Sequence, residues 1–105
     1  MGQLQLIIGD DDTTDNTAEI LSAYQQKVSW METLRIDRPP KGWSPNKWGL
    51  SQALAKARGD IVLTTDADCQ PGPDWVRQLV HPFDDPSVGM VLGPALLIHN
   101  HPGLW

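Results

Sequence analysis

The chain reads as an α/β domain with a mainly parallel sheet and helices on both of its faces. Three observations lead there. Short apolar runs alternate with amphipathic stretches in the order β-α-β-α-β-α-β, the pattern of parallel strands joined by covering helices. Two of those runs stop at carboxylates, as strands do where a parallel sheet opens its ligand-binding edge. Hydrophobic residues make up 40% and charged residues 20% of the 105, which is globular rather than disordered composition. One domain over 1–105 is expected.

Taken in order, Leu4 to Ile8 is an apolar run ending in Asp10, Asp11 and Asp12, so a first strand is expected over 3–9. Asn16, with Glu19 three positions on, resembles a capping box. It opens a helix over 16–26 on which Thr17, Ile20, Leu21 and Tyr24 follow the helical period. The β-branched and aromatic content from Val28 to Ile36 predicts a strand over 29–36. Arg38-Pro39-Pro40-Lys41-Gly42 can continue neither element and forms a loop. Pro45 and Asn46 open a helix over 46–57, with Trp48, Leu50, Ala53, Leu54 and Ala57 as its apolar side and Gly59 as its stop. A third strand over 60–65 ends at Asp66 and Asp68. Pro71-Gly72-Pro73 turns the chain into a helix over 73–82 that packs Trp75 and Leu79. Asp84 and Asp85 lie in a loop before a fourth strand over 88–93.

Eight Lys and Arg stand against thirteen Asp and Glu, a formal net charge of −5, and no basic run occurs. A nucleic acid is therefore not the expected partner. Cys69 is the only cysteine, which excludes an intramolecular disulfide framework and a cysteine-based zinc site and fits a reducing, cytoplasmic setting. No basic n-region follows Met1, so no signal peptide is expected. Val88 to Ile98, the longest mostly apolar stretch, is too short and too interrupted to span a membrane.

The two acidic strand ends carry the chemistry. Carboxylates gathered at one sheet edge repel one another unless a cation offsets them, and hard oxygen ligands suit Mg²⁺ or Mn²⁺, which complete their shell with substrate phosphates. Asp66-Ala67-Asp68 sets two carboxylates two residues apart, on one side of an extended backbone. An Asp-x-Asp triplet alone is a weak signal and usually marks a solvated loop. A second acidic strand end elsewhere strengthens it.

Four ordered blocks then resemble family 2 glycosyltransferases. Ile8-Gly9-Asp10-Asp11-Asp12-Thr13-Thr14-Asp15-Asn16-Thr17 is similar to the family's Val-Asp-Asp-Gly-Ser-Thr-Asp-x-Thr signature. Asn46-Lys47-Trp48-Gly49-Leu50 resembles its Asn-Lys-x-x-Ala/Leu helix start. Ala57-Arg58-Gly59-Asp60 and Thr65-Asp66-Ala67-Asp68-Cys69 resemble its Gly-acid-strand-Asp-Ala-Asp stretch, and Pro71 to Trp75 and Gly89 to Gly93 continue the similarity. The resemblance implies the nucleotide-sugar-binding part of a GT-A, Rossmann-like fold. It implies a hexosyltransferase that moves sugar, with inversion, from a UDP- or GDP-linked donor to an acceptor left unnamed. Asp11 and Asp66 would meet the nucleotide, Lys47 would lie near it, and Asp68 would bind Mn²⁺ or Mg²⁺. The sequence departs from the pattern at Gly9, where the family has Val, and at Asp12, where it has Gly.

The family's first strand, between those ending at Asp11 and Asp66, and its acceptor half with the catalytic base have no counterpart here. The chain is thus expected to be an internal fragment with no catalytic residue of its own, marginally stable and inactive alone. Its two strands would close up and pair, or a partner would fill the gap. Membrane association is expected only through parts of a parent protein.

Other residues have plain readings. Asp10 and Asp12 serve as turn or capping residues, Asp15 as a structural one, and Cys69 as a small buried residue. His99 and His101 are exposed polar residues near an end. Trp48 and Trp75 belong to the core, while Trp43 either packs in its loop or stacks on a base or sugar. Two rival functions use similar ingredients: a non-catalytic nucleotide-binding remnant, and a phosphoacceptor receiver domain. A receiver needs a hydroxyl and then a lysine after later strands, and no lysine follows Lys56.

Overall fold

The structure, a computed structural model, describes residues 3–11 and 14–96. The chain divides between Val62 and Leu63 into two compact units. In the first, β1 (Leu6–Asp10) and β2 (Met31–Arg35) pair in parallel, with Leu6 opposite Met31 and Asp10 opposite Arg35. The Leu6 N–H donates to the Trp30 carbonyl at 2.9 Å and the Ile36 N–H to the Asp10 carbonyl at 2.8 Å, extending the ladder at both ends. The crossover between them is α1 (Thr17–Lys27), and α2 (Pro45–Lys56) follows β2.

Register partners in parallel strands share a face, so Leu6, Ile8 and Asp10 lie with Met31, Thr33 and Arg35, and Gly9 with Leu34 and Ile36. On the first face the Thr33 hydroxyl donates to Gln25 Oε1 of α1 at 2.9 Å. On the second, Ile36 lies under Gly49 of α2. The helices therefore cover opposite faces, as the sequence implies.

Among the described residues the buried apolar core is Met31 and Ile36, joined by buried Asp10. Gly9 has a packing reason: a Cβ there would stand 3.4 Å from two Ile36 carbons.

Several local expectations change. α1 is not opened by an Asn16 capping box, for Asn16 makes no side-chain cap bond. Asp15 does that work, its carboxylate accepting from the Thr17 N–H at 3.0 Å and from the Thr17 hydroxyl. The Thr17 hydrogen bonds hold the Asp15 carboxyl below its ordinary range. Ile20 and Tyr24 of α1 are exposed, as are Leu50 and Leu54 of α2, so neither expected apolar stripe is buried whole. α2 ends at Lys56, ahead of Gly59, with Ala57 already extended.

The side chain of Gln5 fixes that exit. Its Nε2 donates to the Lys56 carbonyl at 3.1 Å and to Glu32 Oε1 at 3.0 Å, while its Oε1 accepts from the Arg58 N–H at 2.9 Å. Arg58 Nη1 closes the group on Glu32 Oε1 at 2.8 Å.

The second unit holds α3 (Trp75–Val80) and a following 3-10 turn (His81–Asp84), together shifted by about two residues from the expected helix. Asp74 pairs with Arg77 at 3.2 Å and Asp84 with His81 at 3.1 Å. Leu79 packs where a Gly93 Cβ would meet its Cδ2 at 3.2 Å. Asp85 accepts from the Ser87 N–H at 2.9 Å and from its hydroxyl at 2.6 Å, a turn as expected.

The expected strands over 60–65 and 88–93 do not form; among the described residues the sheet is β1 and β2 alone. Nor, therefore, do the runs ending at Asp11 and Asp66 pair directly. An apolar run becomes a strand only where a neighbour offers a ladder, and neither run has one. Ile61, Val62, Met90 and Leu92 stay exposed accordingly. No described helix is long and apolar enough to cross a membrane. The expected roles of Asp12, His99 and His101 fall outside the described residues.

Two outcomes follow for the first unit. Ile36→Ala lowers its unfolding free energy by about 2–5 kcal/mol, read as a fall in the urea midpoint. Hydrogen bonds from Gln5, then from Arg58, hold the Glu32 carboxyl below its ordinary range. A carboxyl depressed in the folded state adds stability above its unfolded pKa and loses it as pH falls through the folded value. Melting midpoints measured from about pH 6 down to about pH 3 therefore fall more steeply for the wild type than for Glu32→Gln.

Candidate functional site

Asp11 is the first residue past the carboxyl end of β1. Strand alternation puts it on the Gly9 side of the sheet, the side covered by α2. There it lines two clefts. One, of about 310 Å³, is bounded by Asp11, Ile36, Pro39 and the charged residues Arg35, Asp37 and Arg38 that end and follow β2. The other, of about 240 Å³, lies between Asp11, Gly9 and Ile36 on the strand side and Asn46, Gly49 and Ala53 on α2.

The start of α2 is set locally. Gly42, at φ 91, turns the chain, and the Trp43 N–H donates to the Pro40 carbonyl at 3.1 Å. Ser44 is extended and caps the helix by accepting from the Lys47 N–H at 3.4 Å, with Pro45 in the first turn. Trp43, half exposed, meets Trp48 edge-on at 5.4 Å between centroids, which makes it a packing partner of α2.

Of the residues expected at the nucleotide, Asp11 lies at both clefts and Lys47, exposed on α2, lines neither. Its neighbour Asn46 does. Arg35, Asp37, Arg38 and Asn46 were not singled out from sequence. Asp37 and Arg38 could have been, since they follow a strand at the same sheet edge as Asp11.

Asp66 and Asp68 belong to the second unit. The Cys69 N–H donates to the Asp66 carbonyl at 3.1 Å, closing a turn that gathers one donor atom each from Asp66, Asp68 and Cys69 within 4.8 Å of one another. Cys69 is exposed rather than buried, and its thiol is turned toward Asp68 Oδ1 at 3.9 Å. Two carboxylates with free access to solvent fit a hard divalent cation; the thiol is the softer donor.

The profile of Glycosyl transferase family 2 matches residues 2–105. The chain is similar to the beta-monoglucosyldiacylglycerol synthase of Synechocystis, 37% identical over 93% of this chain and 20% of that protein. The synthase of the same name from Nostoc is 31% identical over 99% of this chain and 22% of its own length. A probable glycosyltransferase of Bacillus subtilis, YdaM, is 26% identical over 92% of this chain and 23% of its own length. The chain thus spans about a fifth of the length of these curated relatives. No solved structure gives a significant match. A parallel α/β arrangement with acidic residues past its strand end agrees with the GT-A fold of that family, and the chain belongs to Glycosyl transferase family 2.

Proposed function

We propose that this chain is the donor-binding part of a glycosyltransferase that takes a hexose from a UDP- or GDP-linked donor and transfers it with inversion. The observation that carries the reading is Asp11 placed at two clefts on the carboxyl edge of a parallel sheet, in a chain of this family. Ligands bind at that edge because loops and helix starts converge there.

The roles are those that the family resemblance implies for these positions. Asp11 accepts hydrogen bonds from the base or ribose of the donor. Asp66 accepts from the ribose. Lys47, exposed in the first turn of α2, adds positive charge toward the nucleotide. Asp68, with Asp66 beside it, would hold Mg²⁺ or Mn²⁺, whose chemistry is to offset the charge of a departing nucleoside diphosphate. The base that deprotonates the acceptor hydroxyl is assigned to no residue of this chain, so transfer is proposed for a longer protein. Two of the similar proteins are named as synthases of a glucosylated diacylglycerol. A lipid acceptor is accordingly the first to try.

Calorimetric titration of UDP-glucose and a GDP-sugar, with and without Mn²⁺, tests the reading. Binding should require the metal, and Asp68→Asn should weaken it by about tenfold or more, the scale of a lost charge-assisted contact. Metal-independent binding, or metal-dependent binding unchanged in Asp68→Asn, would overturn the assignment.

A further inference from the structure

The loop between β2 and α2 carries features that donor binding does not use. Arg38, Lys41 and Lys47 are exposed, and among the described residues none of the three forms an ion pair. Lys47 serves the nucleotide in the reading above. Arg38 and Lys41, on either side of Pro39-Pro40, are left with charges that no carboxylate of the described residues answers. From Arg35 to Lys47 the formal charge is +3, with Asp37 as the one acid, while the whole chain stands at −5. Positive charge is thus gathered on one loop of an acidic chain.

Two residues past Lys41 stands Trp43, 47% exposed. The loop holds it out at little entropic cost. Pro39 and Pro40 fix their own φ, Gly42 turns the chain at φ 91, and the Trp43 N–H donates to the Pro40 carbonyl at 3.1 Å. Its ring rests edge-on against Trp48, and about half of the residue stays open to solvent. An indole beside an ammonium and a guanidinium suits a bilayer surface, where the ring enters the headgroup region and the cations meet anionic lipid. A single-stranded nucleic acid fits less well, because it needs a basic groove with successive aromatic rings and this loop exposes one. A planar surface touches one loop and leaves the acidic remainder in water.

We propose that the loop from Arg38 to Trp43 docks this chain on an anionic lipid bilayer, Arg38 and Lys41 meeting headgroup phosphates and Trp43 entering the interface. The same surface charge repels the acidic remainder, so docking has one favoured orientation. That orientation turns the carboxyl edge of the β1-β2 sheet, where Asp11 lies, toward the lipid. Docking stands by itself. Its use, bringing the donor to an acceptor that stays in the bilayer, rests on the donor-binding reading above.

Co-sedimentation of the chain with vesicles tests the docking, using phosphatidylcholine alone and with phosphatidylglycerol added. Binding should need the anionic lipid. It should fall as salt rises from about 0.01 M to about 0.15 M, which shortens the screening length from about 30 Å to about 8 Å. Lys41→Glu should weaken it by about twenty-fivefold, two charge steps of about fivefold each, with an unchanged melt. Lipid brominated in its upper chain should quench part of the tryptophan fluorescence, and less of it in Trp43→Phe, which keeps a ring against Trp48. No binding, equal binding to phosphatidylcholine alone, binding unchanged in Lys41→Glu, or quenching unchanged in Trp43→Phe would each overturn the proposal. So would single-stranded RNA that displaces the chain from vesicles of equal phosphate content, since the loop would then be a nucleic-acid contact. Titration of UDP-glucose with Mn²⁺ is the separate arm, and Lys41→Glu should leave it unchanged. If the vesicles fail while the nucleotide binds, the donor-binding reading stands without the docking; if the nucleotide fails while the vesicles bind, the docking stands without that reading.

Discussion

The contact on which the first unit depends is Ile36, buried between the first strand and the second helix. It follows β2, and its side chain faces Gly9 on the neighbouring strand and Gly49 on the helix above. The Gly9 approach is the tighter of the two, and β1, β2 and α2 meet at this one buried residue. Because the Ile36 N–H also donates to the Asp10 carbonyl, the same residue ends the ladder and anchors the start of the acidic segment. Asp11 is held at the sheet edge by this arrangement rather than by contacts of its own backbone with α2. At the opposite end of the sheet the Gln5 side chain ties the end of α2 to β2, through the Lys56 carbonyl on one side and Glu32 on the other.

The elements legible in the sequence are those whose stabilising contacts are local. α1, α2 and the two paired strands lie within a few residues of expectation because helical hydrogen bonds and one short crossover suffice to form them. Residues 60–65 and 88–93 have the same apolar composition, yet strand identity belongs to a pair and not to a run. Composition reports only that a segment would be comfortable in a sheet. The Gly59 stop misled for a related reason: the exit of α2 is fixed by a side chain fifty-one residues earlier in the chain, at Gln5. No local signal carries that.

The site divides the same way. Asp11 is legible because a strand end and a motif coincide on it. The exchange of Lys47 for Asn46 at the cleft is not, because successive helical residues point about 100° apart. A motif names the neighbourhood of a helix start, and only the phase of the helix decides which of two adjacent side chains faces the strand. Trp48 and Gln52, one turn apart on α2, show what that phase commits: their buried Nε1 and Nε2 donors find no acceptor among the described residues. Such donors cost on the order of 1–3 kcal/mol each.

The carboxylates separate by the residue two positions on. Asp15 precedes Thr17 and Asp85 precedes Ser87, and in both cases the carboxylate accepts from a backbone N–H and a hydroxyl at that position. Those hydrogen bonds lower both acids from their ordinary values, which marks them as turn residues satisfied within the chain. Asp66 has Asp68 where the other two have a hydroxyl. A second carboxylate accepts and cannot donate, and the turn closed from the Cys69 N–H to the Asp66 carbonyl brings two like charges near each other at Asp66 and Asp68. At this separation the repulsion is on the order of 1 kcal/mol in water and larger wherever water is displaced. The local chain offers one thiol to that pair and no cation of its own. A pair arranged this way repels itself where Asp-x-Ser/Thr satisfies itself, and that is the physical difference between the two triplets in this chain.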